Sequence, residues 1–257
     1  MNTVQSTNQK SSQIQSIEIV QEPFARSMSN EGVNRLRETF FNQPCIDLAK
    51  KLLGKILVRV LQDGTILKGI IVETESYLGG TDKASHSFNN KVTDRNEPMY
   101  MTPGTIYVYL TYGMYHILNI SSKGDGAAVL IRAIQPIEGI DVIQNNRNLF
   151  NSKQSKKGFN KSKPLRDFEL CNGPAKFTIG FEIDMNINKQ DLSKAPFIWI
   201  EPSHEVEESL IVSCKRIGID SVGPEWANKP LRFYIYGNKS VSKKDKVGES
   251  ALLEKLK

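Results

Sequence analysis

The residues best suited to chemistry fall in one short stretch, Ile70-Ile-Val-Glu-Thr-Glu-Ser-Tyr77, with Ala84-Ser-His86 close behind it. The stretch is β-branched and apolar at its start and alternates afterwards, so it reads as a strand. Strand side chains repeat every two residues, which puts Ile71, Glu73, Glu75 and Tyr77 on one expected face. Two acids and an aromatic at the end of a buried strand are costly to bury without a purpose. A carboxylate beside an aromatic is what a site needs to grip a flat ring and activate a water next to it. His86 alone is a weak signal, because a lone histidine is more often structural; its weight comes from its closeness to Glu75 and Tyr77. Glu73, Glu75 and His86 fit no standard zinc spacing, so no metal is expected.

Three further features could serve such a site. Thr105-Ile-Tyr-Val-Tyr-Leu-Thr111 alternates, and His116-Ile-Leu-Asn-Ile120 resumes the pattern, so Tyr112-Gly-Met114 must turn between them. Gly113 supplies the positive φ that a tight hairpin requires. A Tyr and a Met on such a tip either fold back onto the core or stand out as an apolar wedge of the kind that enters a base stack. Arg132 lies inside the apolar Ala127-Ala-Val-Leu-Ile-Arg-Ala133. It needs an anionic partner, for which Glu73, Glu75 or a phosphate would serve, unless it reaches solvent at a strand end. The Asn172-Gly-Pro-Ala-Lys176 turn is either structural or a place where backbone amides and Lys176 meet phosphate.

These residues need a scaffold, and the composition allows one. At 257 residues with 39% hydrophobic content, the chain can bury a core without disulfide staples. Cys45, Cys171 and Cys214 are scattered, with no C-x-x-C pairing, which suits a reducing compartment. No apolar run approaches the roughly 20 residues of a membrane span, and the N-terminus lacks a signal-peptide core. A net charge of +6 and a pI of about 9.1 lean toward a polyanionic partner. Residues 1–34 are expected as a polar, disordered tail and 35–238 as one catalytic domain. Residues 239–257 are expected as a Lys-rich tail or frayed helix. Asp47–Gly54 reads as a helix, strands dominate up to Ile134, and 137–149 look helical after Pro136. Arg147–Arg166 carries seven basic residues and one acid-free run of Ser, Asn and Gly, and reads as a flexible basic loop.

Together, Val72-Glu-Thr-Glu-Ser-Tyr77, Ala84-Ser-His-Ser87, Thr93-Asp-Arg-Asn96, Pro103-Gly-Thr-Ile-Tyr-Val-Tyr109, Tyr112-Gly-Met114, Asn119-Ile120, Ala128-Val-Leu-Ile-Arg-Ala133, Asn172-Gly-Pro-Ala-Lys176 and Lys229-Pro-Leu-Arg-Phe-Tyr234 resemble the single-domain alkyladenine (3-methyladenine) DNA glycosylase family. The likeness runs in order from about Leu36 to Tyr236. It implies a single mixed α/β (α+β) domain around a curved, mainly antiparallel sheet, acting on damaged purines in duplex DNA. Glu75 would be the general base toward the sugar C1′. Arg132 and the backbone carbonyl of Val212 would help hold the water. Tyr77 and Tyr109 would sandwich the flipped base, His86 would bond its edge, and Asn119 would crowd the amino group of normal guanine. Tyr112 would plug the duplex with Met114 beside it, and Lys176 would meet DNA. Departures from the family are the basic insertion between Arg147 and Leu170, and Ile117 near the pocket.

The chemistry is consistent with that likeness. An enzyme acting on a base must take it out of the stack. An N-alkylated purine is cationic and leaves readily, and one carboxylate suffices to activate water and stabilise the oxocarbenium-like sugar. No lysine stands at a site position, so no lyase route is expected. The expected protein is a monofunctional glycosylase for 3-methyladenine, 7-methylguanine, hypoxanthine and ethenoadenine. It would be a monomer without cofactor or membrane attachment, nuclear in a eukaryote and cytoplasmic otherwise. Two rivals are a non-catalytic reader of distorted DNA and a carbohydrate hydrolase using Glu73 and Glu75 as an acid/base pair about 7 Å apart.

Overall fold

The acidic stretch forms the middle of a sheet. In the structure, a computed structural model that describes residues 34–154 and 164–255, strand β2 runs through Ile66–Leu78 and is the longest strand. It follows α1 (Glu38–Phe41), α2 (Cys45–Lys51) and β1 (Ile56–Val60), and precedes the hairpin of β3 (Ile106–Thr111) and β4 (Tyr115–Ser121) and then β5 (Ala127–Glu138). α3 (Ile140–Gln154), α4 (Asp167–Leu170) and α5 (Pro174–Gly180) come next, followed by β6 (Ile198–Glu201), β7 (Ile211–Cys214), α6 (Pro224–Ala227), β8 (Arg232–Ile235) and α7 (Lys246–Lys255). Among the described residues the order β3-β4-β5-β2-β1-β6 is antiparallel throughout, with β8 joining β2 and β7 joining β8. The expected mixed α/β fold with a curved antiparallel sheet is what forms. No described helix is long and apolar enough to cross a membrane.

Alternation sorts the strands onto two faces. Ile106, Val108, Leu118, Ile120, Val129 and Ile131 enter the main core, together with Leu48 and Leu52 of the α2 region. The intervening residues form a row of cross-strand partners: Tyr107 opposes Asn119, Asn119 opposes Leu130, Leu130 opposes Glu75, and Glu75 opposes Arg232. Five strands thus aim one residue each at the same surface.

One expectation about this face is corrected. Ile71 does not share it with Glu73, Glu75 and Tyr77. The β2–β5 ladder slips between Ile71 and Thr74, leaving Val72 and Arg132 without Cα partners. The slip flips the phase of both strands, so Ile71 and Thr74 both turn toward α2. Ile71 is in the main core, and the Thr74 hydroxyl donates to the Ala49 carbonyl at 2.9 Å. Bulges re-aim side chains in this way. Here one swings the Arg132 guanidinium out of an apolar strand and over the carboxylates.

Two more boundaries move. The helix after Pro136 extends to Gln154, and Arg147 belongs to it. Arg147 is no loop cation: it is buried, and its Nη1 donates to the Leu170 carbonyl at 2.5 Å. Lys153 lies in the last turn of the same helix and Arg166 pairs with Glu169, while 155–163 of the basic run and the N-terminal tail, 1–33, lie outside the described residues. At the other end the Lys-rich segment is packed. Val241 and Leu252 are buried with Val72, Val212 and Tyr234, and the Tyr234 hydroxyl donates to Glu249 at 3.1 Å.

Candidate active site

A cavity of about 400 Å³ opens over the cross-strand row. Its lining includes Tyr77, His86, Tyr107, Tyr109, Tyr112, Asn119, Arg132 and Ile217. Glu75 lies beneath these groups, with no exposed surface. Each of its oxygens is held by a residue of the lining. The Tyr77 hydroxyl donates to Oε2 at 2.9 Å and the Ile217 N–H donates to Oε1 at 2.8 Å. Arg132 Nη1 stands 3.2 Å from Oε1. A carboxylate so fixed cannot turn away, and only its open lone pairs are left to take a proton. Burial lowers the pKa of Arg132 as the largest single influence, but the charges of Glu75 and Glu73, with Tyr77, work against it and the value is raised. Burial, then Glu75, pushes the Tyr77 hydroxyl well up, so it stays a donor.

The aromatic walls are braced from behind. Arg216 sits 4.7 Å from the centre of the Tyr77 ring and is ion-paired with buried Asp82. Its Nη1 and Nη2 donate to the two Asp82 oxygens at 2.6 and 2.9 Å. Asp82 also accepts from the N–H groups of Leu78 and Ala84, which fixes the turn that leaves β2. Gly79 starts that turn at φ +85°, where a Cβ would stand 2.4 Å from the Asp125 carbonyl. The turn delivers His86, whose backbone carbonyl accepts from Asn96 at 2.9 Å. The His86 Nδ1 pairs with the Tyr107 hydroxyl at 2.8 Å, and its ring meets Tyr109 edge-on at 4.7 Å. Desolvation and then Arg95 push the His86 pKa down to about 4, so the ring is neutral at pH 7. Asn119 is buried and bonds the Tyr107 carbonyl at 3.2 Å, which fixes its amide at the cavity wall.

Tyr112 crowns the hairpin. It is 85% exposed, with φ +50° followed by φ +66° at Gly113. A tyrosine in the left-handed region costs of order 1 kcal/mol. The bond from Met114 N–H to the Thr111 carbonyl closes the turn at 3.1 Å. Met114 is exposed on the same tip and outside the cavity lining. Lys176 is exposed on α5 and donates to Asn172 Oδ1 at 2.8 Å.

The structure thus gathers Glu75, Tyr77, His86, Tyr109, Asn119 and Arg132 around one cavity with Tyr112 at its rim. It does not bring in Val212. That residue is fully buried in β7 opposite Tyr234, under α7, because β7 alternation turns it into the small second core. The backbone that reaches Glu75 is that of Ile217, after β7 has ended. Glu73, an acid/base partner only in the rival carbohydrate-hydrolase reading, is not placed for that role. It is outside the cavity lining, with its oxygens occupied by Arg132, Arg232 and Ser242. Arg216 and Asp82 were not singled out by sequence reasoning, and with Lys215 and Lys83 beside them neither stands out in the sequence as half of a buried pair; Asn96 was quoted in a motif but given no role. No cluster of three potential metal ligands occurs among the described residues.

An aromatic-walled cavity of about 400 Å³ over one fixed carboxylate suits holding a flat ring while a water is activated beside it. Known proteins point the same way. The family described as Methylpurine-DNA glycosylase matches residues 39–239. The chain is 45% identical over 225 residues to a DNA-3-methyladenine glycosylase of Mus musculus, covering 87% of this chain and 66% of that one. The figure is also 45% over 218 residues for a DNA-3-methyladenine glycosylase of Homo sapiens, covering 84% and 71%. A putative 3-methyladenine DNA glycosylase of Clostridium botulinum is 43% identical over 211 residues, covering 81% and 99%. The chain therefore spans about two thirds of its mouse relative and nearly all of the clostridial one. It belongs to the methylpurine-DNA glycosylase family.

Proposed function

We propose that this protein excises damaged purines from duplex DNA by hydrolysing the N-glycosidic bond, leaving an abasic site and starting base excision repair. The substrates assigned to it are 3-methyladenine, 7-methylguanine, hypoxanthine and ethenoadenine. The observation that carries this reading is Glu75, immobilised by Tyr77, Ile217 and Arg132 under an aromatic cavity. The damaged nucleotide is rotated out of the duplex into that cavity, at a cost of a few kcal/mol. Tyr77 and Tyr109 take the faces of the base, and the second ring nitrogen of neutral His86 takes its edge. Asn119 obstructs the amino group of an undamaged guanine. Tyr112 fills the vacated stack with Met114 beside it, and Lys176 meets a phosphate.

A water held by Glu75, Arg132 and the backbone at Ile217 gives its proton to Glu75 as its oxygen bonds to C1′. The C1′–N bond breaks and its electron pair leaves with the base. A cationic alkylated base departs neutral, while hypoxanthine or ethenoadenine takes up a proton from solvent water as it leaves. Arg132 keeps the carboxylate pair from repelling itself, and Glu75 stabilises the developing positive charge on the sugar. No lysine is in the cavity lining, which supports hydrolysis over an imine route. Every proposed group comes from one chain, which supports a monomer, and the pI of about 9.1 suits a DNA partner. In a eukaryotic cell it would act in the nucleus.

Duplexes carrying a single hypoxanthine or ethenoadenine test this. Incubation with the purified protein should produce abasic sites, seen as strand breaks after alkali and absent before it. Tight binding to those duplexes without abasic sites would instead establish a non-catalytic reader of distorted DNA.

A further inference from the structure

We infer that Glu73 and Ser242 are positioning residues for Arg132 and, through it, for Glu75. This rests on the reading of Glu75 as the base. Glu73 is fully buried and accepts four hydrogen bonds. Arg132 Nε, Arg232 Nη1 and the Ser242 hydroxyl reach Oε1 at 3.0, 2.9 and 2.8 Å, and the Ser242 N–H reaches Oε2 at 2.6 Å. Arg232 is itself fixed by the Lys215 and Lys243 carbonyls at 2.9 and 2.8 Å.

The effect falls on how Arg132 is shared. An arginine beside a carboxylate prefers a two-pronged pair. Here the guanidinium is divided: Nε serves Glu73, Nη1 stands 3.2 Å from Glu75, and Nη2 stands 3.5 Å from the Ser242 hydroxyl. Glu75 therefore faces a single arginine nitrogen, at ion-pair distance, and keeps lone pairs for water. Without Glu73, Arg132 is free to fork onto Glu75 and occupy those lone pairs. Glu73 does not touch the cavity, so its action passes through Arg132. Ser242 supplies half of the bonds to Glu73, from a segment beyond the stretch 39–239 matched by the family. That segment is brought in by α7, which is capped by Asp245 accepting from Gly248 N–H at 2.8 Å and pinned by buried Leu252.

The test uses the purified full chain and a hypoxanthine duplex under single-turnover conditions from pH 5 to 9. It compares wild type with Ser242→Ala, Ser242→Thr and Glu73→Gln, alongside duplex affinity and thermal melting. Misplacement of a catalytic group by about 1 Å costs on the order of a hundredfold, so Glu73→Gln should slow excision by about that factor and Ser242→Ala by about tenfold. Ser242→Thr should restore most of the rate, and duplex affinity should change less than about twofold in all three. With one negative charge gone and both arginines present, the acid limb of the Glu73→Gln rate profile should move to lower pH. Folded variants with wild-type rates and profiles overturn the inference. So does a rate loss that merely follows the melted fraction with no shift in profile. If Glu73→Gln fails to fold, the contrast between alanine and threonine at position 242 decides. An inactive wild type defeats the reading beneath this inference and the inference with it, whereas an active wild type with unaffected variants defeats the inference alone.

Discussion

Beneath the cavity, Glu75 and, behind it, Glu73 are wholly buried and their oxygens are bonded to groups from β2, β5, β8, the turn after β7 and the segment before α7. At the hairpin tip, Tyr112 stands 85% exposed, and a Cβ added to Gly113 would meet nothing within 4 Å. One region is over-determined and the other is held only by its turn. A group that takes a proton must keep its place through the reaction, which needs many partners. A group that enters a duplex must be free to be covered by it, and its partners come with the DNA.

The contrast is tested most severely by Glu75→Gln, which keeps shape and removes proton acceptance. Single-turnover excision should fall at least about a hundredfold while lesion-duplex binding persists. Equal rates would remove Glu75 from the chemistry. Next in size is Asp82→Ala, which strands Arg216 as a buried, unpaired charge. It should lower stability by about 3–5 kcal/mol in denaturant unfolding. A neutral result would mean that the floor is less tightly determined than its bonds imply.

Tyr112→Ala sharpens the other side. It should slow excision of well-paired lesions by about tenfold, because part of a flipping cost of a few kcal/mol goes unrecovered. The defect should shrink for mismatched lesions, Tyr112→Trp should be tolerated better, and melting should not change. A lowered melting transition would show that the tip packs after all.

His86 offers a smaller, pH-dependent check. Its pKa is about 4 in the fold against 6.5 for the ordinary group, so between those values the unfolded chain binds more protons. Its contribution to stability is complete above about 6.5 and is lost as pH falls toward 4. Melting between pH 7.5 and 5 should follow that slope, and His86→Asn should flatten it. The smallest effect is expected from Lys176→Ala, which should reduce the slope of log affinity against log salt by about 0.9 and leave single-turnover chemistry intact.

Much of the floor was legible in the sequence. Glu75, Tyr77, Tyr109 and Asn119 lie at period-two positions of strands, and regular pairing carries them to one surface, which Arg132 reaches through the bulge. The parts that escaped have physical reasons. Ile71 was misplaced because a bulge leaves no composition mark: Val72 and Arg132 look like ordinary strand residues. Val212 was named for a backbone role, and a backbone group has no side-chain signature, so nothing in the sequence separated it from Ile217. Arg147 read as a loop cation because its partner is a carbonyl, the one at Leu170, which the sequence does not display. The segment after Asn238 looked like a tail because its anchors are few, chiefly Val241 and Leu252, among many lysines.

The slip between β2 and β5 also says which genetic changes this protein can absorb. Substitutions along β2 alter one contact at a time, and many conserve shape. A change of length is different in kind. Losing Thr74, just past the slip, would put every later residue of β2 on the opposite face, sending Glu75 and Tyr77 toward α2 and presenting Ser76 to the cavity. In this strand the reading frame of the side chains is itself a functional property, and a single-codon deletion would damage it more than most missense changes.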